Sequence, residues 1–271
     1  MRIFLTGATG YIGSAVASAL RKRNHDVHAI VRPESETRFL RDAGVVLIAG
    51  DLSTLQTLPF GEYDAVVHTA MAKKNAVVLD QIAVDAFTHC KRPFLYTSGV
   101  WILGNTTSAD ESTNVNPLPI VAWRPAHEQQ VLKSGGAVLR PGCVYGGRQS
   151  MFAEWFASAE QGGPIRIVGD GKNRWALVHL DDLADCYVRA IEQRTTGVLH
   201  AIDDTHETLN ACASALSMNA KIEHLPVDRA RLGPFADALI VDQVISSEMT
   251  RRKLGWKPKK TFVSAARELD Q

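Results

Sequence analysis

MRIFLTGATGYIGS, residues 1–14, decides how the rest of the chain is read. Arg2 to Thr6 is short, apolar and bounded by glycine, the pattern of a buried strand. Gly7-x-x-Gly10-x-x-Gly13 follows, and from Tyr11 the apolar positions Ile12, Val16, Ala19 and Leu20 take helical spacing. A strand, a glycine turn and a helix in that order can hold a pyrophosphate. Gly7 allows the tight turn, Gly10 lets the backbone approach the phosphates, and Gly13 lets helix and strand pack closely. The helix N-terminus offers N–H groups and a partial positive charge to the anion. The blander reading is a tight turn with no ligand. The position of the motif on a strand–helix boundary favours dinucleotide binding. No Gly-Lys-Ser/Thr follows, so the spacing is not that of a P-loop.

The string TGATGYIG resembles the short-chain dehydrogenase/reductase superfamily in its atypical extended branch, and is most similar to the NAD(P)-dependent epimerase/dehydratases. The blocks LYTSGVWILG, LRPGCVYGG and VHLDDLA carry the resemblance further along the chain, and it thins beyond residue 200.

The chain has 271 residues, enough for a Rossmann unit with a small appended lobe. At 45% hydrophobic and 22% charged residues it has the composition of a soluble globular protein. A net charge of +1 provides no field to draw nucleic acid or an anionic membrane. Cys90, Cys143, Cys186 and Cys212 are far apart, as reduced thiols of a cytoplasmic protein would be. No apolar run could span a bilayer, and a strand at the very start leaves no room for a signal peptide. The expected partner is a small-molecule substrate, with neither nucleic acid nor membrane, and a homodimer is left open.

Strands are expected at Asp26–Val31, Val45–Ala49, Tyr63–Thr69 and Pro93–Ser98, and helices at Ser35–Asp42, Asn75–Cys90 and Pro125–Lys133. This alternation predicts an α/β fold: a Rossmann-type, doubly wound parallel sheet. Ligands of such sheets bind beyond the carboxyl ends of the strands, where Gly7, Arg32, Asp51, Thr69 and Ser98 fall. Trp101 to Pro119 is polar and turn-rich and reads as a long loop. Residues 1–161 are expected to form the dinucleotide-binding core. Residues 162–271 are expected to be mainly a C-terminal substrate lobe, with some elements returning to the core. A helix at Glu207–Ser217 and one following His179-Leu180-Asp181-Asp182, capped by an aspartate, belong to that part.

Cofactor choice turns on the end of the second strand. Proteins that prefer NAD place an acid there to bind the ribose 2′-hydroxyl. Here the sequence reads Val31-Arg32-Pro33, and Arg32 could instead pair with a 2′-phosphate. Ser35 could be a second phosphate ligand. The expected cofactor is therefore NADP(H) rather than NAD(H), against the blander reading of a solvated arginine. The resemblance implies that Asp51-Leu52 flanks the adenine and Thr69-Ala70-Met71 the ribose. It also implies cofactor contacts from Thr9, Tyr11, Ile12, Thr97, Pro141 and Val144. Asp51 could equally be a turn former.

The reaction centre departs from the family. Its usual members use a Ser or Thr, a Tyr-x-x-x-Lys pair and often an Asn. The five tyrosines are Tyr11, Tyr63, Tyr96, Tyr145 and Tyr187, followed four residues on by Ala15, Val67, Val100, Gln149 and Ile191. None of these is lysine. Aligned on the helix ending EQQVL, Ile120 takes the tyrosine position and Arg124 the lysine position. Gly99 stands where the serine usually lies, one residue after Ser98. Asp80, or alternatively Asp85, falls near the usual Asn. Arg124 could hold the nicotinamide ribose but stays protonated and cannot relay protons. The candidate catalytic set is Ser98, Arg124, Tyr145, Asp80 and His127, with Cys143 a further candidate donor. Each has a blander reading: Tyr145 in the VYG turn, His127 as a solvated helix residue, Cys143 as a buried thiol. Gly99, Trp101, Trp123 and Cys143 would line the substrate pocket. His179 and Asp182 read as structural. No histidine spacing suggests a metal, and His25 and His28 would point to opposite faces of a strand.

The expected activity is hydride transfer at a carbonyl or carbinol, as reduction or within an epimerase or dehydratase cycle. The alternatives are a non-catalytic NADP(H) sensor and a non-redox lyase or isomerase.

Overall fold

The computed structural model describes residues 1–147, 149–216 and 221–267. Seven strands form one sheet: β1 (Arg2–Thr6), β2 (Asp26–Val31), β3 (Val46–Ala49), β4 (Ala65–His68), β5 (Phe94–Thr97), β6 (Ala137–Pro141) and β7 (Gly197–Ala201). Their order is β7-β6-β5-β4-β1-β2-β3, and the register pairs from β3 through β6 are all parallel. The expected doubly wound parallel sheet is present. Its order reverses beside β1, the point where such sheets bind ligands.

The chain divides into two compact units. One comprises Met1–Ser98, Trp123–Leu139 and Ala184–Leu199; the other comprises Gly99–Ala122, Arg140–Leu183 and His200–Gln271. The division therefore does not fall at residue 161. The chain returns to the first unit twice, because the later helices at 124–133 and 184–192 belong with its sheet.

In the first unit, helices α1 (Tyr11–Lys22), α2 (Arg38–Asp42), α3 (Ala76–His89) and α4 (Arg124–Lys133) follow their strands. The buried face of α3 carries Asp80, Ala83, Val84 and Phe87, and that of α4 carries Arg124, His127, Glu128 and Val131. Both sets have i, i+3, i+4, i+7 spacing, one face of a helix. Apolar members of these faces join Phe4, Phe60, Tyr63, Phe94 and Tyr96 in one core. Aspartate, arginine and histidine at the same spacing are therefore buried by the periodicity that buries valine.

The second unit has its own core around Tyr145, Phe152, Trp175 and Phe262. The segment expected as a long loop contains a 3-10 turn at Val100–Leu103 and a strand at Thr106–Ala109, which pairs in parallel with Gln243–Ile245. The first turn of helix Leu180–Glu192 is capped differently from the expectation. His179 Nδ1 accepts from Asp181 N at 3.2 Å. Asp182 instead takes the amides of Lys259 and Lys260 on its Oδ2, at 2.9 and 3.0 Å. The later helix spans Leu209–Leu216; its expected end at Ser217 lies outside the described residues.

Candidate cofactor and active site

The glycine loop has the shape its sequence demands. Gly7 sits at φ +79°, and Gly10 N donates to Gly7 O at 2.8 Å to close the turn. A Cβ on Gly13 would lie 2.1 Å from Gly7 O, and one on Gly7 would lie 2.5 Å from Ala70 N. Backbone therefore fills both places where a side chain would go. Gly10 is the N-cap of α1 and makes no side-chain cap among the described residues, so the helix start can take an anion. Thr69 Oγ1 donates to Thr6 O at 2.7 Å and fixes the loop after β4 beside the glycine turn. Thr9, Tyr11, Ile12 and Ala70 are partly exposed around this turn, and Met71 is exposed. These features fit a dinucleotide's pyrophosphate.

Arg32 follows β2 with its side chain in solvent, 3.4 Å from Glu34, and its carbonyl accepts from Ser35 N at 3.0 Å. Asp51 accepts from Ser53 N and Ser53 Oγ, at 2.8 and 2.6 Å, as the cap of the 3-10 turn Leu52–Thr57. These bonds and the nearby Arg32 charge hold its exposed carboxyl below the usual range. The turn-forming reading thus accounts for Asp51 without a ligand.

Beyond the glycine loop, a row of side chains crosses the sheet. Thr6 pairs with His68 in register, and His68 with Tyr96. Opposed residues in a parallel ladder present side chains to the same face, so the three meet. Thr6 Oγ1 is 2.7 Å from His68 Nδ1, and the His68 and Tyr96 rings stack 5.9 Å apart. Asp80 descends onto this row from α3. Its Oδ1 is 3.1 Å from His68 Nε2, and its Oδ2 is 2.7 Å from Tyr96 OH and 2.6 Å from His127 Nδ1. Burial alone would raise the Asp80 pKa. Hydrogen bonds from His127 and His68, with the Arg124 charge, hold it well below the usual carboxylate range. An ionised carboxylate only accepts, so the tyrosine and both imidazole nitrogens donate to it.

Arg124 opens α4 and is 7% exposed. Its Nη1 donates to Thr97 O at 2.8 Å and Tyr96 OH at 3.2 Å, and its Nη2 reaches Met71 Sδ at 3.5 Å. The guanidinium lies 4.6 Å from the Trp123 ring centre. Thr97 Oγ1 is 2.5 Å from Tyr187 OH. Arg124 is therefore a buried cation at the carboxyl end of β5, held by one carbonyl and one phenol.

The NAD dependent epimerase/dehydratase family model matches residues 3–119 and 121–202. The chain belongs to this family. An uncharacterised protein of Schizosaccharomyces pombe is 30% identical over 95% of each chain. A 2-alkyl-3-oxoalkanoate reductase of Stenotrophomonas maltophilia is 26% identical over 73% of this chain and 67% of its own. A UDP-glucuronic acid 4-epimerase of Bacillus cereus, solved with UDP-glucuronic acid and NAD, superposes with a TM-score of 0.81 at 20% identity, covering 98% of this chain and 97% of its own. With these relatives the chain is an NAD(P)-dependent enzyme of the oxidoreductase/epimerase kind.

Within this epimerase/dehydratase family member, the sequence candidates separate. Asp80, Arg124 and His127 come together with Thr97 and Trp123 in the first unit. Asp85 instead accepts from Gln81 and Gln130 at the α3–α4 junction. Ser98 is buried, and its Oγ has no hydrogen-bond partner among the described residues. Tyr145 lies in the core of the second unit, where its hydroxyl donates to Asp203 Oδ2 at 2.7 Å. Burial and Asp203 raise its pKa far above that of a free phenol, which suits a structural residue. Burial pushes the Cys143 thiol up to about 12. Pro141 and Val144 are buried. Trp101 packs its ring on Phe235, 5.9 Å between centres, and belongs to the second unit, whereas Trp123 belongs to the first. Ile120 packs against the core of the second unit. Gly99 has φ 175°, ordinary extended backbone, with open space where a Cβ would be.

Sequence reading missed His68 and Tyr96. Both lie inside apolar strands, where a polar residue signals a partner. That signal was present, but naming the partner required the strand register.

Proposed function

We propose that the protein is an NADP(H)-dependent oxidoreductase, or an epimerase/dehydratase using the same hydride, for a small organic carbonyl or hydroxyl substrate. The observation that carries the proposal is Arg124, a buried guanidinium anchored at the carboxyl end of β5 where the family pattern has lysine. The bound nicotinamide would supply hydride chemistry. The residues of the chain provide the rest. The start of α1 and the glycine turn take the pyrophosphate, Thr69 to Met71 line the ribose side, and Arg124 donates to the nicotinamide ribose. Arg32, exposed and paired only loosely with Glu34, takes the 2′-phosphate. The reductase of Stenotrophomonas maltophilia, named for a 3-oxoalkanoate, supports a carbonyl substrate.

Proton transfer proceeds without a Tyr-x-x-x-Lys pair. Of the groups near Arg124, His127 and water are the candidate proton donors, whereas Asp80, ionised and accepting from His127 and Tyr96, has no proton to give. Positioning alone can supply much of the acceleration, and general acid help adds roughly a hundred- to ten-thousandfold.

Calorimetry with both cofactors tests the reading. NADPH should bind at least about tenfold tighter than NADH, which needs only about 1.4 kcal/mol. Arg32→Asp should abolish or reverse that preference, and equal affinities would sink the NADP(H) assignment. A panel of carbonyl and alcohol substrates should then show cofactor turnover. Tight cofactor binding without turnover, and without any ligand beside the nicotinamide, would favour the sensor reading.

A further inference from the structure

Arg124 has many rotamers available and few contacts that hold it. Thr97 O fixes one edge of its guanidinium, and the Trp123 face lies beside it. Among the described residues, the other polar contact within 3.2 Å is the Tyr96 hydroxyl. That hydroxyl can accept from Arg124 only if its own proton points elsewhere. It points to Asp80 Oδ2, 2.7 Å away, which accepts the hydrogen bond. Asp80 is itself fixed by His68 and His127, and His68 by Thr6. Tyr96 is fully buried and Asp80 is 4% exposed, so water does not compete for these bonds. Burial and the neighbouring carboxylate raise the Tyr96 pKa, opposed by Arg124, and the phenol keeps its proton. The direction of every hydrogen bond from Asp80 to Arg124 is thus determined.

We propose that Tyr96 and Asp80 are positioning residues for Arg124, and that this hydrogen-bond chain sets how the guanidinium meets the ribose hydroxyls of the cofactor. The proposal rests on the reading that this site binds NADP(H). Neither residue touches the cofactor; both act through Arg124. The chain compensates for the change from lysine to arginine. A guanidinium is planar, and its value as a donor depends on the plane in which it is held. Lysine's ammonium needs no such orientation.

A double-mutant cycle on NADPH affinity, measured by calorimetry, separates positioning from general structural support. Tyr96→Phe keeps the ring and its stacking on His68 but removes the oxygen. It should weaken NADPH binding roughly three- to tenfold. Arg124→Ala should weaken it about tenfold or more. With Arg124→Ala already present, Tyr96→Phe should cost less than about twofold further. Asp80→Asn should resemble Tyr96→Phe, because an amide cannot accept all three donors. Should Asp80→Asn not fold, the Tyr96 cycle decides alone. Wild-type affinity in Tyr96→Phe, or equal fold losses in both backgrounds, would overturn the positioning role while leaving the cofactor reading intact. A wild-type protein that binds neither NADPH nor NADH would overturn both.

Discussion

Asp80 and Asp203 are buried carboxylates in different units, and each accepts a tyrosine hydroxyl at 2.7 Å. Their surroundings drive them apart. Asp80 also receives two imidazole nitrogens and feels the Arg124 charge, and it stays ionised far into acid. Asp203 accepts from neutral donors, Tyr145 OH and the amide and hydroxyl of Thr205, and the acidic Asp204 is next to it. Burial prevails there and raises its pKa to about 6. The same carboxylate–phenol contact thus serves two purposes. In the first unit it belongs to a charged network at the carboxyl ends of the strands. In the second it ties a tyrosine of the core to the residues after β7.

Removing each carboxylate should expose the difference. Asp80→Ala leaves three buried donors without an acceptor and Arg124 without its counter-charge. The expected loss of unfolding free energy is about 3–5 kcal/mol. Asp203→Asn keeps a carbonyl oxygen for Thr205 N but puts an amide donor where Tyr145 OH finds its acceptor. At pH 7 removal of the buried charge offsets part of that loss, and the net cost should stay below about 2 kcal/mol. Urea unfolding followed by tryptophan fluorescence measures both. Similar losses for the two variants would show that the carboxylates play equivalent parts.

The pH dependence should differ in sign. The folded pKa of Asp80 lies below its unfolded value, so its contribution is present above about pH 4 and is lost in stronger acid. The folded pKa of Asp203 lies above its unfolded value, so the folded state holds the extra proton. Its contribution is greatest below about pH 4 and declines as the pH rises to about 6. The shift from 3.8 to about 6 corresponds to about 3 kcal/mol. The stability of Asp203→Asn relative to wild type should therefore rise by about that amount between pH 4 and pH 7. Parallel stability curves for the two proteins would show that Asp203 titrates normally.

The parts of this design legible in the sequence are those encoded by local pattern. Residues 1–14 specified a strand, a turn and a helix through glycine spacing and apolar periodicity, both short-range properties. The spacing of Asp80, Arg124 and His127 on their helices was equally local, and all three were candidates from sequence. Tyr96 and His68 were missed because their partners lie on other elements, and only the β4–β5 register brings them opposite. Tyr145 misled for the complementary reason. It was a candidate donor as well as a residue of the VYG turn, and the partner that satisfies its hydroxyl, Asp203, is 58 residues away. The return of later elements to the first unit was expected, but the crossing points were hidden, since composition does not change where the chain crosses from one unit to the other.

Two glycines give the smallest contrast. Gly13, in the first unit, cannot accept a side chain unless backbone moves, because its Cβ would lie 2.1 Å from Gly7 O. Gly13→Ala should destabilise by about 1–3 kcal/mol, as overpacking does, and should weaken NADPH binding with it. Gly99, in the second unit, has extended backbone and open space, so nothing steric requires glycine there. Gly99→Ser should change stability by less than about 0.5 kcal/mol, with a small gain from the reduced freedom of the unfolded chain. Thermal melts of both variants make the comparison. Packing therefore does not exclude a hydroxyl at Gly99. Turnover by Gly99→Ser should then stay close to wild type, because a serine without the tyrosine it normally assists restores only part of the missing machinery. A large rise in turnover would show instead that the open position at Gly99 limits the reaction.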